Sequence, residues 1–237
     1  MKSKPGNIIK QFLCYVLGLL IITIGINVSK MSNLGISPVS SIPRACERIW
    51  GFTLGTTTMI VYVFLVLGQI IILRKDFKIV NILGILLTVV FGYMIDFTGT
   101  DPNAFGHLML NFPRPGNYIM KFIYMLVSVG IIGVGVFLYL RPKWVPMPAE
   151  GLAGAIAQVT GKPFGNCKSL VDSGMVIIAL ILQLACLGGL SSFTGEGVVV
   201  REGTIIAALG VGQVVKFLAK RLAKPIDEWL HAGEESA

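Results

Sequence analysis

Residues 12–28 have the sequence FLCYVLGLLIITIGINV and contain no charged side chain over 17 consecutive positions. A bilayer core about 30 Å thick needs roughly 20 consecutive apolar residues in a helix, so this segment approaches the length of a transmembrane span. It must be helical, because hydrocarbon offers no hydrogen-bond partner to backbone N–H and C=O groups. Three lysines precede it, as in a signal peptide, but no small-residue cleavage site follows. We therefore expect a mature transmembrane helix.

The rest of the chain repeats this pattern. Hydrophobic residues make up 54% of the 237 residues and charged residues only 14%, which is too apolar for an ordinary water-facing surface. Five further apolar stretches are residues 57–73, 79–95, 119–140, 170–190 and 203–218. The alternation typical of a membrane barrel is absent. The sequence predicts an all-α membrane protein with six transmembrane helices in a lipid bilayer.

The basic residues predict the orientation of these helices. The formal net charge is +8, but Lys and Arg lie at helix ends rather than in one stripe, so nucleic-acid binding is not expected. If the N-terminus is cytoplasmic, fourteen Lys and Arg fall on the cytoplasmic side and six on the other side. Basic residues are enriched in cytoplasmic loops. We therefore expect a multi-pass protein of the cell (inner) membrane with both termini in the cytoplasm.

An internal duplication relates the two halves of the chain. An offset of 110 positions places Lys4-Pro5-Gly6-Asn7 on Arg114-Pro115-Gly116-Asn117, and an offset of 120 places Gly92 on Gly212. The predicted units are 1–110 and 111–225, followed by a polar tail at 226–237. Because each unit holds three spans, an odd number, the second enters the membrane in the opposite sense. This predicts two inverted three-helix repeats, an arrangement found in many secondary transporters.

Each half also contains one segment that is too short and too polar to span. Residues 33–55 and 145–165 begin near a proline and end at Gly-x-x-x-Gly. Pro38 and Pro148, which the offset of 110 aligns, are suited to the first turn of a short helix. We expect two re-entrant or interfacial helical hairpins that face each other. The alternative is an amphipathic helix lying on each membrane surface.

Several of these residues resemble a known family. Asn33-Leu-Gly-Ile-Ser-Pro38, Gly51-Phe-Thr-Leu-Gly55 and Glu202-Gly-Thr-Ile-Ile, with Gly212 in the last helix, resemble the YczE/YyaS/YitT family of bacterial membrane proteins. The resemblance covers nearly the whole chain and implies five or six spans with no assigned catalytic chemistry. One departure is Lys216, which stands where an acidic residue is expected.

The two short segments supply the first candidate binding residues. A proline-opened helix aims unsatisfied N–H groups and the positive end of its dipole at whatever lies before it. Serine hydroxyls at positions 37, 40 and 41 surround the first such point, and Glu150 with bare backbone at Gly151 and Gly154 surrounds the second. This set favours an asymmetric, partly cationic or zwitterionic solute. The alternative for Glu150 is simple capping of its own helix.

Further ionisable residues are candidates because charges inside a membrane are costly. Lys168 and Asp172 are four positions apart, so they can pair on one helical face. Arg44, Glu47 and Arg48, together with Arg201 and Glu202 before the last helix, could form a charged vestibule for an anionic or zwitterionic solute, since Arg is suited to carboxylate or phosphate. The alternatives are a helix-end ion pair and interfacial anchoring. The full candidate set is Ser37, Ser40, Ser41, Arg44, Arg48, Glu150, Gly151, Gly154, Lys168 and Asp172.

Catalysis is not expected. His107 and His231 lie far apart in a polar loop and a polar tail, and no nucleophile–base or phosphate-binding motif occurs in a suitable context. The four cysteines lack metal-ligand spacing. We therefore expect no enzyme, cofactor or metal. The sequence favours a transporter or facilitator of a small polar solute, with a homodimer as one arrangement; the alternative is an accessory membrane protein that supports a partner complex.

Overall fold

A computed structural model describes residues 5–76, 83–102, 104–106, 108–193 and 197–230. This part of the chain contains eight α-helices and no β-strand. The helices are α1 (Pro5–Ser32), α2 (Pro38–Trp50), α3 (Leu54–Leu73), α4 (Leu83–Phe97), α5 (Tyr118–Leu140), α6 (Pro148–Thr160), α7 (Phe164–Cys186) and α8 (Glu202–Leu230).

Five of these helices are long and apolar enough to cross a membrane, namely α1, α3, α5, α7 and α8. The fold is therefore that of an all-α, multi-pass membrane protein. The remaining apolar helix, α4, has 15 described residues, which span about 22 Å at 1.5 Å per residue. The span predicted at 79–95 begins at residues 79–82, which lie outside the described residues.

Helix α8 continues beyond the predicted end of the last span. It extends to Leu230, so residues 226–230 of the predicted tail are helical, while 231–237 lie outside the described residues. The extension is held against the start of α1, because the Lys10 ammonium lies 5.3 Å from the ring centre of Trp229 and donates to its carbonyl oxygen. Leu230 is fully buried.

The two short helices have matching starts and ends. Both are 13 residues long, with Pro38 or Pro148 in the first turn. Both end at a glycine in the left-handed conformation, Gly51 with φ 73° and Gly161 with φ 67°. Such a glycine commonly terminates a helix, because it avoids the steric cost of a Cβ. The offset of 110 therefore maps α2 onto α6 from first to last residue.

Long helices α1 and α5 form the central pair, with α2 packed on α7 and α6 packed on α3. The central pair approaches closely at small residues: a Cβ on Gly135 would lie 2.7 Å from the carbonyl oxygen of Gly18. Small residues allow this backbone approach between membrane helices, where van der Waals contact rather than exclusion from water drives packing. The long helices thus form a frame around the two short ones.

The last helix of each half packs differently. Helix α4 lies against α3, where a Cβ on Gly55 would collide with the carbonyl oxygen of Gly92. Asp96 of α4 also accepts hydrogen bonds from the Gly55 N–H (2.8 Å) and the Thr53 hydroxyl (2.7 Å). Helix α8 lies against α5 and barely touches α7. We call α3 and α4 the closed pair and α7 and α8 the open pair.

Candidate solute cavity

A cavity of about 780 Å³ lies where the starts of the two short helices meet the long helices. Its walls come from α1, α2, α3, α4, α5, α6, α7 and α8, and most of its lining is apolar. The volume lies within the range of roughly 300–1,000 Å³ common for small-molecule sites. Seven of the ten predicted binding residues line it: Ser37, Ser40, Glu150, Gly151, Gly154, Lys168 and Asp172.

Helix α6 contributes a carboxylate to the cavity wall. Glu150 is the third residue of α6 and accepts a hydrogen bond from the backbone N–H of Met147, which caps the helix. Its side chain is half-buried, and burial raises the pKa of this carboxyl, although the nearby charge of Lys168 opposes the shift. Glu150 therefore caps α6 and also faces the cavity; the two roles coexist.

A glutamine on α3 positions the start of α6. The Gln69 side-chain amide donates to the carbonyl oxygen of Pro148 at 3.0 Å and is buried. A Cβ on Gly151 would lie 2.7 Å from the Gln69 side-chain oxygen. A larger residue at 151 would therefore displace the end of the Gln69 side chain. At Gly154, by contrast, a Cβ would meet no atom within 4 Å among the described residues.

Helix α7 contributes the ion pair predicted from the spacing of Lys168 and Asp172. The two side chains approach to 3.2 Å and are 33% and 25% exposed. Both line the cavity. Because they compensate each other, the pair adds polarity to the wall but little net charge.

The start of α2 forms the opposite wall. The Ser37 and Ser40 hydroxyls lie 3.2 Å apart and both residues line the cavity. Ser41 lies behind this wall: it is fully buried, and its hydroxyl donates to the Pro38 carbonyl oxygen at 2.6 Å. The structure thus separates Ser41 from the other two serines.

The two predicted arginines lie away from the cavity. Arg44 and Lys30 both pair with Glu47, and the three form what we call the charge cluster at the end of α1 and the second half of α2. Burial opposes ionisation of Glu47, but the two cations outweigh it and lower the pKa of this carboxyl. Arg48 lies beside Gly197, in the segment before α8. Neither arginine lines the cavity.

The segment before α8 is held by two polar side chains outside the cavity lining. The Gln183 side-chain oxygen accepts from the Val200 N–H at 2.7 Å. The Asn33 side-chain oxygen accepts from the Gly197 N–H at 2.8 Å. The cavity extends to Leu140, the last residue of α5, and to Lys216, in the middle of α8. Because the Lys216 side chain is exposed, we expect access beside this part of α8.

Sequence reasoning missed several cavity residues on α3 and α4. Tyr62 and Phe91 line the cavity with stacked rings whose centres are 6.2 Å apart at an angle of 8°. The duplication contained a signal for one of them, because the offset of 110 places Tyr62 on Asp172. Tyr62 is thus identifiable from the sequence as the counterpart of the predicted binding residue Asp172.

Fold and cavity define a class: a multi-pass helical membrane protein with an internal cavity of mixed polarity. The chain belongs to a family of unknown function, DUF6198, whose model matches residues 9–220. It is also similar to "Uncharacterized protein YyaS" of Bacillus subtilis (strain 168), with 24% identity over 189 residues that cover 76% of this chain and 89% of that protein. No solved structure matches the chain. The YyaS part of the resemblance is thereby supported.

Proposed function

We propose that this protein is a secondary transporter or facilitator that moves a small polar solute by alternating access. In this proposal six helices span the membrane as two inverted repeats, with both termini in the cytoplasm, and α2 and α6 are re-entrant. We also propose, from the sequence motifs at residues 33–38, 51–55 and 202–206, that the chain is related to YczE and YitT as well as to YyaS. No catalysis, cofactor or metal is invoked.

The observation that carries the proposal is that both short helices begin at the same cavity. Ser37 and Ser40 enter it from α2, and Glu150 enters it from α6. Irregular backbone and ionisable groups at membrane depth are costly, and they are tolerated where they line a polar path. A solute site at the junction of the two halves accounts for both features.

The matching caps support the repeat. Pro38 with Gly51 and Pro148 with Gly161 bound helices of equal length at one constant offset. Reciprocal packing, α2 on α7 and α6 on α3, is what a pseudo-two-fold axis would produce. In transporters of this kind, the substrate lies at the interface between the repeats.

The closed and open pairs support alternating access. One half contains the closed pair and the other contains the open pair. If the two halves exchanged these conformations, the cavity would open on the other side of the membrane, so the protein would have two states. Glycines 165 and 212 of the open pair correspond to Gly55 and Gly92 of the closed pair. Closure of α7 on α8 at these glycines would seal the present entrance.

Transport by the purified protein tests this proposal. We would first screen amino acids, organic acids, nucleosides and cations by thermal shift, since a ligand that binds only the native state raises its stability. Hits would then be assayed for counterflow in proteoliposomes. We expect at least one compound to stabilise the protein and to exchange across the bilayer. A stabilising compound that never crosses would contradict transport and favour the accessory role.

A further inference from the structure

The charges that face the cavity do not balance. Lys168 and Asp172 compensate each other at 3.2 Å. Glu150 forms no ion pair within the part of the chain that the structure describes, and the charges acting on it are those of Lys168 and Asp172. Lys216 also lines the cavity, but its side chain is exposed on α8. When Glu150 is ionised, the enclosed part of the cavity therefore carries one uncompensated negative charge, which a bound cation would stabilise.

Aromatic rings lie near this charge. Tyr62 is 2% exposed and lies close enough to Glu150 and Asp172 to feel both carboxylates. Among the described residues its hydroxyl has no hydrogen-bond partner, although the residue lines the cavity. Its ring is stacked with Phe91, a second lining residue. The faces of such rings attract cations, most strongly where water is excluded.

The remaining wall is apolar. Ile22 and Ile26 of α1 and Ile132 and Val136 of α5 line the side of the cavity formed by the central pair. A small ion without an apolar part would make no contact with this apolar wall. An apolar body of matching size would bury it and bring its charged group to Glu150.

We propose that the cavity binds an organic monocation, a protonated amine or substituted ammonium with an apolar body, whose charge lies at the Glu150 carboxylate near Tyr62. This inference rests on the proposed function, because it names the solute class of the same site. The start of α2, with Ser37 and Ser40, is the remaining hydrogen-bonding point for a polar substituent on the solute.

The test uses three compounds of similar shape: 3-phenylpropylamine, 3-phenylpropan-1-ol and 3-phenylpropanoate. Binding to the purified full-length protein would be measured by calorimetry. We expect the amine to bind at least about tenfold more tightly than the alcohol or the acid, as for a charge-assisted hydrogen bond. Equal binding of the three, tighter binding of the acid, or no binding of the amine would overturn the inference.

Two variants, one that removes an acidic side chain and one that removes a basic side chain, test whether Glu150 binds the charged group of the solute. Glu150→Gln should abolish the preference for the amine, whereas Lys168→Met, which leaves Asp172 uncompensated, should keep or increase it. Glu202→Gln is the matched control, because Glu202 pairs with Arg201 outside the cavity. An amine preference that survives in Glu150→Gln, or that is lost in Lys168→Met while the protein remains folded, would contradict the assignment.

The outcomes separate this inference from the proposed function. If the acid or the alcohol exchanges across proteoliposomes and the amine does not, the transporter proposal holds and the cation class is wrong. If the amine binds at Glu150 and never crosses, the cation site holds and transport is wrong.

Discussion

The closed pair and the open pair carry matched glycines, but the helices pack differently at them. In the closed pair, Gly55 and Gly92 bring the backbones of α3 and α4 into contact. In the open pair, a Cβ on Gly165 or Gly212 would meet no described atom within 4 Å. The cavity lies beside the open pair, with Lys168 on α7 and Gly212 on α8 among its lining residues. Matched glycines alone therefore do not decide which helices come into contact in this fold.

The short helices show the same contrast. In α2, residues 44–47 are buried and include two members of the charge cluster, whereas of their equivalents in α6, residues 154–157, only Ala155 is buried. The offset of 110 places Ala157 at the position of Glu47, so the open half has no counterpart of this cluster. The charge cluster therefore belongs to the half that contains the closed pair, and its removal should affect that half alone.

The largest effect is expected from Glu47→Gln. This change leaves two buried cations without their carboxylate, and breaking a buried ion pair costs about 3–5 kcal/mol. Thermal unfolding in detergent measures the loss. Asp172→Asn, which removes the half-exposed pair of the open side, should cost only about 0–1 kcal/mol. Similar losses in the two variants would contradict the claim that the two sides differ in closure.

A smaller effect is expected from alanine at the matched glycines. Gly55→Ala places a methyl group against the Gly92 backbone, and overpacking of this kind typically costs about 1–3 kcal/mol. Gly165→Ala meets no neighbour and should leave stability unchanged or raise it by about 0.5–1 kcal/mol, because alanine favours the helix. Comparing the two unfolding temperatures checks the prediction, and an equal cost at both positions would refute it.

The smallest effect concerns the pH dependence of the two short-helix carboxyls. The pKa of Glu47 is lowered in the folded protein, so its contribution to stability is present above the unfolded value and is lost as pH falls. The pKa of Glu150 is raised, chiefly by burial, so its ionisation destabilises the fold as pH rises above the ordinary value of 4.5. The titratable groups that interact with Glu150 are Lys168, Asp172, Tyr62 and Tyr15.

Glu150→Gln should therefore raise the unfolding temperature more at neutral pH than at pH about 5. The same scan on Glu202→Gln serves as the control. A gain that is equal at both pH values would show that Glu150 is ionised in the folded protein as readily as in the unfolded chain.

The sequence predicted those features that depend on local signals. Prolines 38 and 148 and glycines 51 and 161 are start and stop signals for helices, and the structure has both short helices between them. The apolar stretches likewise predicted the long helices. The Lys168–Asp172 pair followed from helical spacing alone.

Features that depend on packing between distant segments were not predicted. Arg44 was expected in a vestibule, but its partner Glu47 is shared with Lys30, which reaches it from the end of α1. Gly151 was expected to present bare backbone, but its surroundings are set by Gln69 of α3. Nothing in the local sequence distinguishes the glycines that touch from those that do not.

Cross-linking of the open pair during transport tests whether α7 closes on α8 in each transport cycle. A protein with its four cysteines replaced, and with cysteines introduced by Gly165→Cys and Gly212→Cys, would be reconstituted in proteoliposomes with an exchanging solute and an oxidant. We predict that a 165–212 disulfide forms, that exchange stops, and that a reductant restores it, because α7 must close on α8 in each cycle. Exchange that continues at full rate with the disulfide formed would contradict alternating access between the two halves.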